Sequence, residues 1–126
     1  MCIKNNNIKI KAISHFIKDR SSPENSIFLF SYDVEIKNNN DFEVQLLSRY
    51  WHIQDGDGNV EEVRGPGVIG LQPLIKPNER FGYSSFCPLK TPFGIMRGAY
   101  QMKLNSEGIF DASIPSFSLH AADYVN

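Results

Sequence analysis

The segment from Ile27 to Lys37 alternates with a period of two. Phe28, Phe30, Tyr32, Val34 and Ile36 share one face, and Ser31, Asp33, Glu35 and Lys37 share the other, with Ile27 and Leu29 at its start. An extended strand with one face on a core gives every second residue the same surroundings, so this pattern selects β-structure over helix. The period recurs at both ends of the chain. Ile8, Ile10, Ala12 and Phe16 alternate with Lys9, Lys11 and His15, and Met96, Gly98, Tyr100, Met102 and Leu104 alternate with Arg97, Gln101 and Lys103. Ile109 to Leu119 is a further strand, bent or ended at Pro115. No window supports a long amphipathic helix.

Turn chemistry separates these runs. Ser21 to Asn25, Asn38 to Asp41, Asp55 to Asn59, Lys76 to Glu79 and Asn105 to Gly108 are rich in the residues that close turns. Seven to eight antiparallel strands without helices predict an all-β sandwich, in which two one-sided sheets bury their apolar faces on each other. Glu43 to Val63 reads as a hairpin closed by the Asp-Gly pairs at Asp55 to Gly58. The mixed parity at Leu46 and Leu47 predicts either a bulge or burial on both faces. Trp51 is the natural anchor between sheets. At 126 residues the chain reads as one domain, 1–126, with loose ends at residues 1–7 and 121–126.

The totals exclude several classes. Thirteen basic residues against fourteen acidic ones give a net charge of -1, which is not the footprint of a nucleic-acid binder. Lys4, Lys9, Lys11 and Lys18 make the N-terminal part locally basic, as a solvated strand face does. The longest apolar run is too short to span a bilayer. Without a leader-like or membrane-spanning stretch, the chain is expected in the cytoplasm, where Cys2 and Cys87 stay reduced. The cysteines offer neither a disulfide framework nor a metal spacing.

Gly65, Gly67 and Gly70 have the spacing of a dinucleotide fingerprint. That motif works only where a helix N-terminus follows, and Pro73 and Pro77 forbid a helix here. Two readings remain. Backbone amides of the loop could cradle a phosphate, with Arg64 or Arg97 as charge partner, although Pro66 removes one donor. Alternatively, the glycines permit a tight crossing between sheets.

Other constellations point away from catalysis. Asp55 to Asn59 opens like an EF-hand, but the sixth and twelfth places hold Val60 and Pro66 instead of glycine and glutamate. His15, His52 and His120 stand far apart, with no second ligand at a zinc spacing. Cys87 precedes Pro88 and lacks a helix N-terminus to activate it. Glu61 and Glu62 are adjacent and face opposite sides of a strand. Phe81, Tyr83, Phe86 and Phe93 lie where Pro88 and Pro92 interrupt the strand pattern. Exposed together, they would make a partner patch at Phe86, Pro88 and Phe93.

From Trp51 onward the order of motifs becomes specific. Trp51 to Asp55 runs into Gly58 to Gly65, then Gly67 to Gly70, Gln72-Pro73, Cys87-Pro88-Leu89, Thr91-Pro92, Gly94, Met96 to Gly98 and Tyr100 to Met102, with Ser22 to Glu24 and Leu47 to Arg49 upstream. In this the chain resembles the bacterial ApaG family over nearly its whole length. The resemblance implies an immunoglobulin or fibronectin type III-like sandwich and no established catalytic activity. It also implies an association with diadenosine tetraphosphate metabolism and with cobalt and magnesium resistance. Similar domains in eukaryotic F-box proteins and in a polymerase delta-interacting protein are thought to bind partners. Three positions depart from the family pattern: Pro66 and Leu71 stand where carboxylates are common, and Phe86 where glycine is.

The expectation is therefore a non-enzymatic binding or adaptor domain with a protein partner and no cofactor or metal. Its contacts would run through a sheet face or the loops from Gly65 to Pro73 and Pro88 to Gly94. The alternative is a sensor for a polyphosphate or nucleotide at Gly65, Gly67 and Gly70. A second copy could also pair along an edge strand.

Overall fold

The computed structural model describes residues 7–104 and 108–124. Eight strands follow in order: β1 (Ile8–Phe16), β2 (Phe28–Asn38), β3 (Val44–Asp55), β4 (Val60–Pro66), β5 (Leu74–Ile75), β6 (Arg80–Leu89), β7 (Phe93–Leu104) and β8 (Gly108–His120). One-turn 3-10 segments occupy Lys18–Arg20, Pro23–Asn25 and Ala122–Tyr124. Every strand pair is antiparallel. One sheet has the order β1-β2-β6. The other has the order β4-β3-β7-β8, with β5 also paired to β3. The all-β sandwich read from the period of two is borne out.

The alternating faces become the core. Phe28, Phe30, Tyr32, Val34 and Ile36 are all buried, while Asp33 and Glu35 point to solvent. Trp51 reaches from β3 across the interior, its ring 5.4 Å from Tyr32, 6.3 Å from Tyr100 and 5.9 Å from Phe117. The parity conflict at Leu46 and Leu47 is a bulge: the β3–β7 register slips between Leu46 and Ser48. Pro115 bends β8 without ending it. Met96 faces Phe117 and Gly98 faces Ile114, so the residues around Pro115 are absorbed in a second bulge.

Two expectations need correction. Pro88 does not break its strand, because β6 runs through it to Leu89. Asn38 N–H donates to Glu79 O at 3.0 Å, which fixes the alternation: the odd residues of β6 bond to β2, and the even ones face away. Pro88 is even and on an edge strand, so no ladder bond to β2 requires its missing N–H. Nor is the segment from residue 121 loose as far as residue 124. Ala121 is fully buried and donates its N–H to Pro92 O at 2.8 Å, and the Tyr124 ring meets Phe16 and Phe28 at 6.0 and 5.8 Å. Residues 1–6, with Cys2, and residues 125–126 lie outside the described residues.

Several polar groups inside the sandwich find partners, whereas the indole Nε1 of Trp51 is buried without one. Asn38 is fully buried and donates to Phe42 O and Ile75 O at 2.8 and 2.9 Å, tying the end of β2 to β5. The hydroxyls of Tyr83 and Tyr100 meet at 2.5 Å between the two sheets. Burial raises the pKa of both phenols, so both stay neutral. Removing one hydroxyl strands the other in the interior. Tyr83→Phe and Tyr100→Phe are each expected to cost about 1–3 kcal/mol, and the double variant less than their sum. Urea unfolding of the four proteins checks this, and strict additivity would disprove the pairing.

Candidate functional site

The glycine segment is an excursion from one edge of β3. Val60 to Pro66 pair with Gln54 to Ser48, and Leu74 and Ile75 pair with Gln45 and Val44 on the same side. Between them the chain leaves the ladder opposite the Leu47 bulge. Leu47 O accepts from Gly67 N–H at 2.8 Å and from Gln72 Nε2 at 2.9 Å, and Pro73 O then accepts from Leu46 N–H at 3.0 Å. At the tip, Val68 and Leu71 exchange two backbone bonds of 2.8 Å. The turn they close has Ile69 at φ 43° and Gly70 at φ 78°, as a type I′ turn requires.

Arg49 holds the excursion from below. It has the parity of Trp51 and Ile53, so its side chain enters the space between the sheets. Nη1 donates to Pro66 O and Gly67 O, both at 3.0 Å. Gly65 makes room for this, since a Cβ there would lie 2.9 Å from Nη2 of Arg49. Gly67 allows the chain to fold back: at φ 60°, its Cβ would lie 2.1 Å from Leu71 O. Gly70 serves only the turn, with nothing near its missing Cβ.

The sequence-selected residues therefore separate into groups. Gly65, Gly67 and Gly70 build the excursion, and the amides of Gly67, Val68 and Leu71 are already bonded to carbonyls. Arg64 lies on the outer face of β4, 4.3 Å from the Tyr50 ring centroid and 3.8 Å from Glu62. Arg97 lies two strands away, across β3 at the level of His52. The two cations meet electrostatically at Tyr50, whose hydroxyl donates to Glu62 Oε2 at 2.6 Å. That hydrogen bond, foremost, raises the Tyr50 pKa. An open groove of about 760 Å³ runs beside Tyr50, Arg64, Gly65, Gln72, Gln101 and Asp111. Phe86 and Pro88 stand on the outward face of β6, whereas Phe93 starts β7 in the other sheet, with its ring 6.3 Å from His120.

Within and just after the loop from Gly65 to Pro73, the sequence reading did not single out three apolar side chains. Ile69, Leu71 and Leu74 are 58, 50 and 59% exposed on the excursion and its return. Their neighbour Val68 is buried and roots the tip in the core. The signal was an apolar run inside a segment bracketed by Gly65 and Pro73.

Two carboxylates are already engaged by neighbouring donors. On the outer face of the three-stranded sheet, Asp33 accepts from Ser84 Oγ, and His15 Nε2 lies 3.0 Å from its other oxygen. The carboxylate sits between serine and histidine, so the imidazole cannot deprotonate the serine as in a hydrolase triad. The Ser84 hydrogen bond, more than His15, lowers the Asp33 pKa. The Asp55 carboxylate is engaged by the backbone amides of Asp57 and Asn59 in its own turn. Among the described residues, no group of three or more His, Cys, Asp or Glu could hold a metal ion. Nor, among the described residues, is any helix long and apolar enough to cross a membrane.

A family model described as the ApaG domain matches residues 18–104. The chain belongs to the ApaG family. It is 50% identical over 113 residues to Protein ApaG of Mesorhizobium japonicum, covering 90% of this chain and 87% of that one. Against Protein ApaG of Beijerinckia indica, identity is 48% over 112 residues, with 89 and 86% covered. The crystal structure of the putative ApaA protein of Bordetella pertussis superposes with a TM-score of 0.88 at 38% identity, over 91% of this chain and 94% of that one. The ApaG resemblance read from the motifs is thus shown, and the excursion carries its glycine signature.

The glycines differ in what they permit. Gly67→Ala must relieve a backbone collision as well as a left-handed strain and is expected to cost more than about 2 kcal/mol, whereas Gly70→Ala should cost about 1–2 kcal/mol. Denaturant midpoints of the two variants test the order, and equal losses would contradict the close approach at Gly67. Cys87 offers a second check. Burial pushes its thiol up to about 12, so a Cys2→Ser variant should react with thiol reagents at pH 8 only on unfolding. Below the ordinary thiol value the stability linked to this buried thiol is fully present. It is lost as pH rises towards 12, because the unfolded chain releases its proton first.

Proposed function

We propose that this ApaG domain is a non-enzymatic binding module that captures a protein partner through the tip of the glycine excursion. The observation that carries this is Ile69. A β-branched residue at φ 43° is strained, and its side chain is more than half exposed, so its place in the turn does not arise from core packing. Asn-Gly suits such a turn better. What Ile69 adds is apolar surface, which Leu71 and Leu74 extend. Burying such side chains against a partner is worth about 1.5–3 kcal/mol each. Arg49 and Gln72 hold the tip, so little freedom is lost on binding.

The associations with diadenosine tetraphosphate metabolism and with cobalt and magnesium resistance would then act through the captured cytoplasmic partner. A polyphosphate or nucleotide at Gly65, Gly67 and Gly70 has weaker support. Three amides of the loop already donate to carbonyls, and Glu62 stands beside Arg64.

A photoreactive side chain at position 71 is expected to crosslink one defined protein in cytoplasmic extract. Ile69→Asn should abolish that crosslink while stabilising the fold by about 1 kcal/mol, as strain is released. Ile109→Asn, at an exposed aliphatic on β8, should leave it intact. Undiminished capture by Ile69→Asn would overturn the reading. Saturable amide shifts confined to Gly65 through Gly70 on adding diadenosine tetraphosphate would favour the anion alternative instead.

A further inference from the structure

The strands at the margins of the two sheets are not equally protected. Along one margin of the sandwich β1 and β8 meet, with Ser14 Oγ donating to Ser118 O at 2.6 Å. At the opposite margin, β4 carries Glu61, Glu62 and Arg64 and runs out into the excursion, features that discourage further pairing. β6 has none of these devices along most of its length. It pairs with β2 in unbroken register from Arg80 to Leu89, and its one ionised side chain is Arg80. By the alternation described above, the N–H and C=O groups of Gly82, Ser84 and Phe86 point away from β2, as does the carbonyl of Pro88.

This edge is complementary to itself. We propose that β6 pairs antiparallel with β6 of a second copy about a two-fold axis at Ser84, joining the three-stranded sheets into one of six strands. The register follows from the free groups. Ser84 meets Ser84 of the partner subunit, Gly82 meets the partner's Phe86, and Arg80 meets the partner's Pro88. In that last pair, the missing proline N–H forfeits only a bond at the end of the ladder.

The side chains fit the same register. Residues directly opposite in such a pair project to one face, so each Phe86 ring lies over the bare backbone of the other copy's Gly82. Phe86 is 56% exposed although the Arg20 guanidinium stands 5.5 Å from its ring centroid. The surface at Gly82 is hollow. An open depression of about 520 Å³ lies there, bordered by Lys11, Ile13, Asp33, Glu35 and Ser84, and Ile13 is 62% exposed. An aromatic ring laid across an edge glycine repairs the weakness that glycine brings to a strand. The two-fold makes the exchange twice, and this is why a second copy fits the edge better than an unrelated strand. A single pair of strands buries little area for a specific interface, so the dimer is weak and concentration-dependent.

Sedimentation velocity from about 1 µM to about 500 µM, a range chosen for a dissociation constant on the order of 10 µM, tests the pairing. The unchanged chain is expected to pass from monomer to dimer. With rising concentration, amide hydrogen exchange should slow at Gly82, Ser84 and Phe86. Two variants close the edge in different ways. A Cβ at Gly82 meets only Val34 O, at an ordinary 3.5 Å, so Gly82→Val keeps the monomer fold and fills the hollow. Ser84→Pro removes an outward donor that β2 does not use. Both should stay monomeric, and Phe86→Ala, which removes the aromatic contact from both copies, should weaken the dimer roughly ten- to a hundredfold. A monomer at every concentration with rapid exchange at the three amides overturns the proposal and leaves the edge to a strand of another protein. A dimer that persists in Gly82→Val and Ser84→Pro, with those amides unprotected, overturns it in favour of a different surface.

Discussion

An arginine whose side chain reaches into a sandwich interior needs acceptors, because withdrawing a cation from water without them is costly. Arg49 finds them in the carbonyls of Pro66 and Gly67, at the point where the chain departs from the ladder. At the end of β4 the guanidinium gives both carbonyls a donor, and they give it two acceptors. Gly65 has no Cβ because the guanidinium lies over its backbone. The bulge at Leu47 follows from the same place: its carbonyl takes both the first amide of the excursion and the Gln72 side chain. The glycine signature is in this sense the imprint of one half-buried cation and the loop it ties down.

The rest of the interior is arranged around that cation. Tyr32, Tyr83 and Tyr100 face it from three strands of the two sheets, and its positive charge favours the ionised form of each phenol. Burial opposes this more strongly, so the phenols remain neutral. Trp51, two residues along β3, fills the space between the same tyrosines and Phe117. The centre of the sandwich is thus an aromatic layer with a polar seam, and the seam opens towards the side where β4 and β6 lie. There the excursion closes it from above, with Val68 as its apolar root.

Most of the fold was legible because its signals are local. The alternation of β2, the Asp-Gly hairpin turn and the parity break at Leu47 are each set by neighbours in sequence. The glycine loop could be read as architecture for a similar reason, since Pro73 and Pro77 exclude the helix that a phosphate site would need. Features set by partners distant in sequence were hidden. Pro88 counts as a strand breaker until β6 is known to be an edge with the proline nitrogen turned outward. Arg49 gives no local sign of its carbonyl partners, which lie 17 and 18 residues away in the chain. The left-handed backbone at Ile69 has no sequence signal at all, because isoleucine is among the residues least suited to it. The loop was named as a contact segment, but its apolar tip was not singled out, for the same reason that makes it informative: local preference argues against it.

The two apolar features differ in how firmly they are held, and this bears on what each can do. The tip of the excursion is a two-bond turn on a base fixed by Arg49, Leu47 and buried Val68, so its shape is set before any partner arrives. Such a surface selects by fit and loses little entropy on contact. β6, by contrast, offers backbone groups, which any extended chain can match, and depends on Phe86 and Gly82 for discrimination. A rigid tip suits a defined folded partner. An edge with one knob and one hollow suits a copy of itself, because only a two-fold uses both at once. The two surfaces also involve different sheets, β3 with its excursion in one and β6 in the other. Occupying one therefore leaves the backbone groups of the other free, and a paired ApaG domain would present two tips rather than one.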